Sequence, residues 1–258
     1  MRILVRLRAD ADAVYNPEYH NKLRGVIWDA LSGTPFYDLH GERSVPAFCF
    51  SNIFPVKQIS EGDIRHVLIA SHREGLIRVL ADRFEPGTEF NVGEMAFHVD
   101  DCSVLSPDVG ETGTSGTLKT DTGVYIPLPQ ERWDEYGIET EANAEQIGWS
   151  PDYSLEIFLE RVRENLAWKH DTIHADYLET VSPETELFTD LTLEKTYTVD
   201  VAVTSDNTYE YTFLVTKWKF DYTVRNEDHR RWLNLLLDTG MGWRNQLGFG
   251  FVNREVAE

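Results

Sequence analysis

Cysteine is nearly absent, with Cys49 and Cys102 the whole supply in 258 residues. Two thiols are too few for a disulfide framework and lack the paired spacing of a metal site, so reduced, partly buried thiols are expected. Long apolar runs are missing as well. No segment approaches the ~20 residues that span a bilayer, and the start, Arg2-Ile3-Leu4-Val5-Arg6, lacks the apolar core of a signal peptide. These absences predict a soluble cytoplasmic protein with no membrane partner. Lysine is scarce, 7 against 17 arginines, and the 24 basic residues face 44 acidic ones, a formal charge of −20. An acidic chain poor in lysine fits a salt-rich cytoplasm, where screening shortens the reach of self-repulsion, so a halophilic source is expected.

What is present is a globular composition, 41% hydrophobic and 12% aromatic, in a chain long enough for one large or two small domains. The charge is uneven. Residues 131–194 hold 17 acidic against 4 basic residues, whereas residues 217–254 hold 4 against 7 and residues 1–43 hold 6 of each. Acid is loaded on the middle, and both ends are left able to meet a polyanion. Charge alone also fits an acidic enzyme with a small-molecule substrate.

Residues 2–8 alternate as a strand, with Ile3, Val5 and Leu7 on one face and Arg2, Leu4, Arg6 and Arg8 on the other. Asn16-Pro17-Glu18 reads as a helix start, followed by the stripe Tyr19, Leu23, Ile27, Leu31 and a stop at Gly33. Strands are predicted over 47–54 and 66–71. Ser71 to Glu74 reads as a capping box for a helix over 73–83, and a strand follows over 94–104. After the Gly/Thr/Ser-rich stretch Gly110 to Gly123 the order restarts: a strand within 117–128, a helix capped at Ser150-Pro151-Asp152, a hairpin of 192–203 and 209–220 around Ser205-Asp206-Asn207, a helix capped by Asn226, and a strand over 249–256. The prediction is an α+β chain of two tandem ferredoxin-like, RRM-like units of order βαββαβ, with domains at 1–108 and 109–258.

The run from Gly240 to Gly250 carries four glycines between the last helix and the last strand. Glycines permit positive φ and close approach of backbone N–H groups to a phosphate, and Arg244 inside the run adds a charged donor. A dinucleotide fingerprint needs the strand before the glycines, so that reading is excluded. The run alone also fits a helix stop and a turn.

A loop of this form, ending in Gly248-Phe249-Gly250 and entering the last strand of a second such unit, resembles the signature of the repeat-associated RNA-binding superfamily of CRISPR proteins. Within it the chain is similar to the family that processes precursor CRISPR RNA, the Cas-six family. Leu23-Arg24-Gly25-Val26-Ile27-Trp28 after Tyr19-His20, then Asp38-Leu39-His40, then Phe48-Cys49-Phe50-Ser51, resemble that family's first helix, catalytic histidine and second strand in order. The stretch from about 105 to 150 matches nothing in it.

The resemblance implies a metal-independent endoribonuclease without a cofactor. It would cut CRISPR repeat RNA by attack of a 2′-OH on the adjacent phosphate, leaving 5′-OH and 2′,3′-cyclic phosphate ends, and hold its product for other subunits of an effector complex. Catalysis would fall to His40, whose residue type titrates near operating pH. RNA contacts would come from Arg43, Gly240, Gly242, Arg244, Asn245, Gly248, Gly250 and Ser115, with Ser44, Ser51 and Lys57 weaker candidates. Trp28 stands where some relatives have tyrosine and lacks a hydroxyl, so packing or base stacking is expected of it. Arg43 stands where some have lysine and would stabilise charge without moving a proton. Arg2, Arg6 and Arg8, with Lys217 and Lys219, are candidates for an RNA-tracking groove. His170 and His174 are spaced i, i+4, but no third ligand accompanies them, and no metal is expected. A non-catalytic RNA-binding CRISPR subunit of the same fold and an unrelated acidic enzyme are the rival readings.

Overall fold

The computed structural model describes residues 1–16, 19–41, 44–139, 145–174, 186–202 and 210–255. In chain order the elements are β1 (Arg2–Ala9), α1 (His20–Leu31), β2 (Cys49–Phe50), β3 (Ile64–Ala70), α2 (Glu74–Arg83), β4 (Phe97–Leu105), β5 (Ser115–Thr120), β6 (Pro127–Pro129), α3 (Trp133–Tyr136), β7 (Gln146–Gly148), α4 (Leu155–Ile173), β8 (Asp190–Ala202), β9 (Glu210–Thr223), α5 (Glu227–Thr239) and β10 (Val252–Glu255). The first four strands form an antiparallel sheet of order β2-β3-β1-β4, and the last unit repeats that order as β10-β5-β9-β8 read from its other edge. These are the two tandem ferredoxin-like units. Between β5 and α4 of the second, β6, α3 and β7 are inserted, the small β6-β7 pair forming its own two-stranded sheet.

Burial follows the sequence periods. Ile3, Val5 and Leu7 are solvent-free, as are Leu23, Ile27 and Leu31 of α1. The apolar core falls in two main clusters, one drawn from residues 3–99 and one from 109–252. Asn226 caps α5 by accepting from the His229 amide, and Gly240 ends it at φ 75°.

Several boundaries differ from expectation for local reasons. The second strand is only two residues long because the Ser51 side chain, not a carbonyl, accepts the Leu68 amide at 2.8 Å; the ladder resumes at the Phe54–His66 bridge. Ser51 is therefore buried inside the sheet, not turned to a ligand. The predicted strand within 117–128 breaks after Thr120, where Thr122 and Gly123 leave the sheet to bond the amides of Phe251 and Gly250. Ser150 closes a turn on the Asp152 amide, and Ser154 is the actual cap of α4, accepting from Glu156 at 3.1 Å. Ser71 bonds Arg73 and Ala47 in place of the expected capping box. α1 begins at His20 without a side-chain cap. Pro17, Glu18 and the hairpin turn Ser205-Asp206-Asn207 lie outside the described residues.

Arg2 is a correction. It is 3% exposed, and its guanidinium donates to the carbonyls of Leu237 at 2.8 Å and Val252 at 3.3 Å, pairs with Asn253, and lies over the Phe251 ring. It ties the first strand to the second unit. Arg6 and Arg8 share the Asp100 carboxylate, and Lys219 pairs with Glu255 at 2.9 Å. Arg2, Arg6, Arg8 and Lys219 are thus each engaged within the protein. The chain's amino group closes the same junction by pairing with Asp238.

Candidate nucleic-acid interface

The glycine run lies where the two units meet. Its ends close on each other, the Met241 amide donating to Gly250 O at 2.8 Å, and its flanks bond the second unit through Trp243 N to Tyr125 O and Gly250 N to Gly123 O. A Cβ on Gly250 would stand 1.9 Å from Met241 O, one on Gly242 2.6 Å from Tyr125 O, and one on Gly248 2.3 Å from the Phe50 ring of the first unit. From the first unit His20 reaches back, its Nδ1 2.6 Å from Leu247 O while its ring stacks on Tyr19. Burial pulls His20 down to about 4, so Nδ1 carries the proton it shares with that carbonyl.

Gly240, Gly242, Gly248, Gly250 and Asn245 are all buried. The amides of Met241, Trp243, Leu247, Gly248 and Gly250 are spent on protein carbonyls. Asn245 donates to Met241 O and Phe249 O, and its Oδ1 accepts from Lys169 Nζ at 2.8 Å. The glycines are thus the means by which the run folds tightly, and the side chain it presents outward is Arg244, which is exposed.

Arg244 opens into a cleft of about 1220 Å³ between the units, whose wall also carries Arg24 from α1, Ser44, Trp168 from α4 and Tyr211 from β9. Arg24 and Arg244 enter no ion pair among the described residues, and Arg24 is held below its ordinary value first by burial and then by the charge of Arg244. Glu131 and Glu145 also line the cleft, but neither pairs with Arg24 or Arg244, so these two guanidiniums facing one space attract an anion. The other two arginines of the cleft are already engaged: Arg132 bonds Glu135, Glu160 and Glu164, and Arg161 bonds Glu164 and lies over the Trp243 ring. Trp168 and Tyr211, 45% and 55% exposed, offer flat apolar faces in the same cleft.

His40 is not among the residues that line that cleft. It ends the turn of 3-10 helix Tyr37–Leu39, its amide bonded to Tyr37 O at 2.9 Å, and is solvent-exposed. Trp28 meets it edge-on and Tyr37 stacks parallel to it. Trp28 itself is buried against Phe48, so its part is packing. Arg43 lies outside the described residues; Ser44, beyond it, lines the cleft. Ser115 is exposed at the start of β5, bonded to Thr223, and is not part of the cleft wall. His170 is buried and stacks on Trp232, and the His174 ring lies tilted against it at 4.9 Å.

Sequence reading missed Arg24, Lys169 and the aromatic pair. Lys169 continues the buried stripe Phe158, Val162, Asn165, Leu166 of α4, so helical period was a signal for its burial. Arg24 had no local signal, since what makes it notable is a neighbour 220 residues away in sequence.

The family model for the C-terminal part of CRISPR associated protein Cas6 matches residues 136–254. The chain is 45% identical over 254 residues to the CRISPR-associated endoribonuclease Cas6 of Haloferax mediterranei, covering 98% of this chain and 93% of that one. It is 24% identical over 267 residues to CRISPR-associated endoribonuclease Cas6 2 of Methanocaldococcus jannaschii, covering 98% and 99%. A solved structure of a Cas6-related protein from Pyrococcus furiosus superposes with a TM-score of 0.69 at 20% identity, over 100% of this chain and 99% of that one, which shows a shared fold. The chain belongs to the Cas6 family of CRISPR-associated endoribonucleases, RNA-cleaving enzymes. The Haloferax relative fits the halophilic source that the acidic composition suggested. Among the described residues no helix is long and apolar enough to cross a membrane.

Proposed function

We propose that this protein cleaves precursor CRISPR RNA within its repeats, in the cytoplasm, and that His40 moves the proton. The observation that carries the reading is the 45% identity, along nearly the whole chain, to a protein named as a CRISPR-associated endoribonuclease. The seat of His40 supports its role: an exposed imidazole steadied by two rings can reach a strand on the surface while keeping its orientation. In the proposed step the 2′-oxygen attacks the phosphorus beside it, the bond to the 5′-oxygen breaks, and the products are a 2′,3′-cyclic phosphate and a 5′-OH. One proton leaves the 2′-OH and one arrives on the 5′-oxygen, and His40 serves one of these transfers. Arg24 and Arg244 hold the strand's phosphates in the cleft, with Trp168 and Tyr211 as faces for unpaired bases. Arg43 and Ser115 belong to the same proposal as further backbone contacts, and product retention for other CRISPR subunits extends it.

The test is incubation of a synthetic RNA copy of the source organism's repeat with the protein in chelator, beside His40→Ala. Cleavage at one position by the parent, with binding but no cleavage by the variant, is expected. Undiminished cleavage by His40→Ala would sink the assignment. Binding without cleavage by the parent would favour a non-catalytic subunit.

A further inference from the structure

Lys169 is fully buried near the end of α4, and its Nζ donates to Gly240 O at 2.8 Å, Gly242 O at 3.2 Å and Asn245 Oδ1 at 2.8 Å, with Thr239 O at 3.5 Å. An ammonium has three N–H donors and no acceptor, and these three shorter contacts use all of them. A neutral amine would turn its lone pair toward an oxygen. Burial pulls Lys169 down to about 7, while the ring of acceptors fits only the protonated form. A charge sealed in this way stays where it is only while every donor is satisfied, so loop shape and lysine depend on each other.

Arg244, next to the asparagine that Lys169 holds, is the only non-glycine residue with positive φ among the described residues, at 60°. Such a conformation persists only where surrounding contacts over-determine it, and strained residues of this kind gather at binding and catalytic sites. Here the over-determining contacts converge on Asn245, whose amide spans Met241 and Phe249 and whose oxygen is gripped by Lys169.

We propose that Lys169 is a positioning residue for RNA capture: its buried ammonium sets the glycine loop so that Arg244 stands opposite Arg24 and the two guanidiniums act as one phosphate-binding pair. This rests on the reading of the cleft as the RNA site. Without the latch, Arg244 relaxes to an ordinary conformation and leaves the pair.

The test uses full-length protein carrying His40→Ala, so that a synthetic repeat RNA stays intact, with affinity followed by fluorescence anisotropy across a KCl series. R244A should weaken binding and shallow the slope of log Kd against log salt by about one, the signature of one lost phosphate contact. K169M should reproduce both effects, R244A/K169M should be no weaker than R244A alone, and K169R should recover part of the slope. Loss of a mere packing lysine lowers the melting temperature without touching the salt slope. Parental affinity and slope in K169M, with R244A impaired, would overturn the role of Lys169. An R244A protein indistinguishable from the parent would overturn the loop's grip on RNA and the Lys169 proposal with it. Should K169M fail to fold, Asn245→Ala removes the same latch from its other side; an R244A-like slope supports the proposal, and a parental slope refutes it.

Discussion

The indole of Trp28 meets the imidazole of His40 edge to face, ring centroids 4.8 Å apart and planes at 83°. Tyr37 stacks parallel to the same imidazole at 5.9 Å. Trp28 is core and Tyr37 is 42% exposed, so His40 is steadied by one ring the fold cannot spare and one it can. Tyr37→Ala should therefore leave the fold intact and slow single-turnover cleavage by roughly tenfold through loosened orientation, against a loss of roughly 10²–10⁴ for His40→Ala. Equal rates in Tyr37→Ala and the parent would show that the stack plays no part.

The glycine run distinguishes open from occupied positions. Gly250→Ala would force a methyl against Met241 O, whereas Gly41, at φ 89°, has nothing within 4 Å of a Cβ. Gly250→Ala should lose more than about 3 kcal/mol or fail to fold, and Gly41→Ala about 1 kcal/mol, as read by thermal denaturation. Similar small losses at both would mean that the run is not packed as described.

Arg244 trades stability for position. Arg244→Gly removes the strain of φ 60° and should raise stability by about 1 kcal/mol while weakening RNA binding. A rise in melting temperature with a fall in affinity is the expected pair of results, and parental affinity would free Arg244 of any role with RNA.

Acid should loosen the junction between the units. Burial disfavours the charge of His20 and pulls it from the ordinary 6.5 down to about 4 in the fold. His72, down to about 3, adds in the same direction. Between these values the unfolded chain binds more protons, so the contribution is complete above about pH 6.5 and is lost as pH falls through about 4. For His20 the loss is on the order of 3 kcal/mol. His20→Asn should be less stable at pH 7 and show a flatter stability profile between about pH 6.5 and 4. An unchanged slope would place the acid sensitivity elsewhere.

Much of this was legible in the residues. Alternation in β1, the stripe of α1, the Asn226 cap and the stop at Gly240 were read from period and end signals, because each depends on neighbours within a turn or two. The repeated βαββαβ order followed from them. The short β2 was not legible, since a serine hydroxyl stands in for a backbone acceptor only when the partner strand is already in place.

The sequence by itself determined two rounds of one fold, the family, and the place of His40 after the first helix. Which cations face the cleft was decided only when the units docked. Arg2 and Arg6 share a strand face by periodicity, yet one is buried against α5 and β10 and the other pairs with Asp100. Arg24 and Arg244 carry no mutual signal in the chain and come together across the junction. Local pattern reports which face of an element is covered; what covers it depends on contacts between distant segments, and those decide whether a charge is a strut or a hand for RNA.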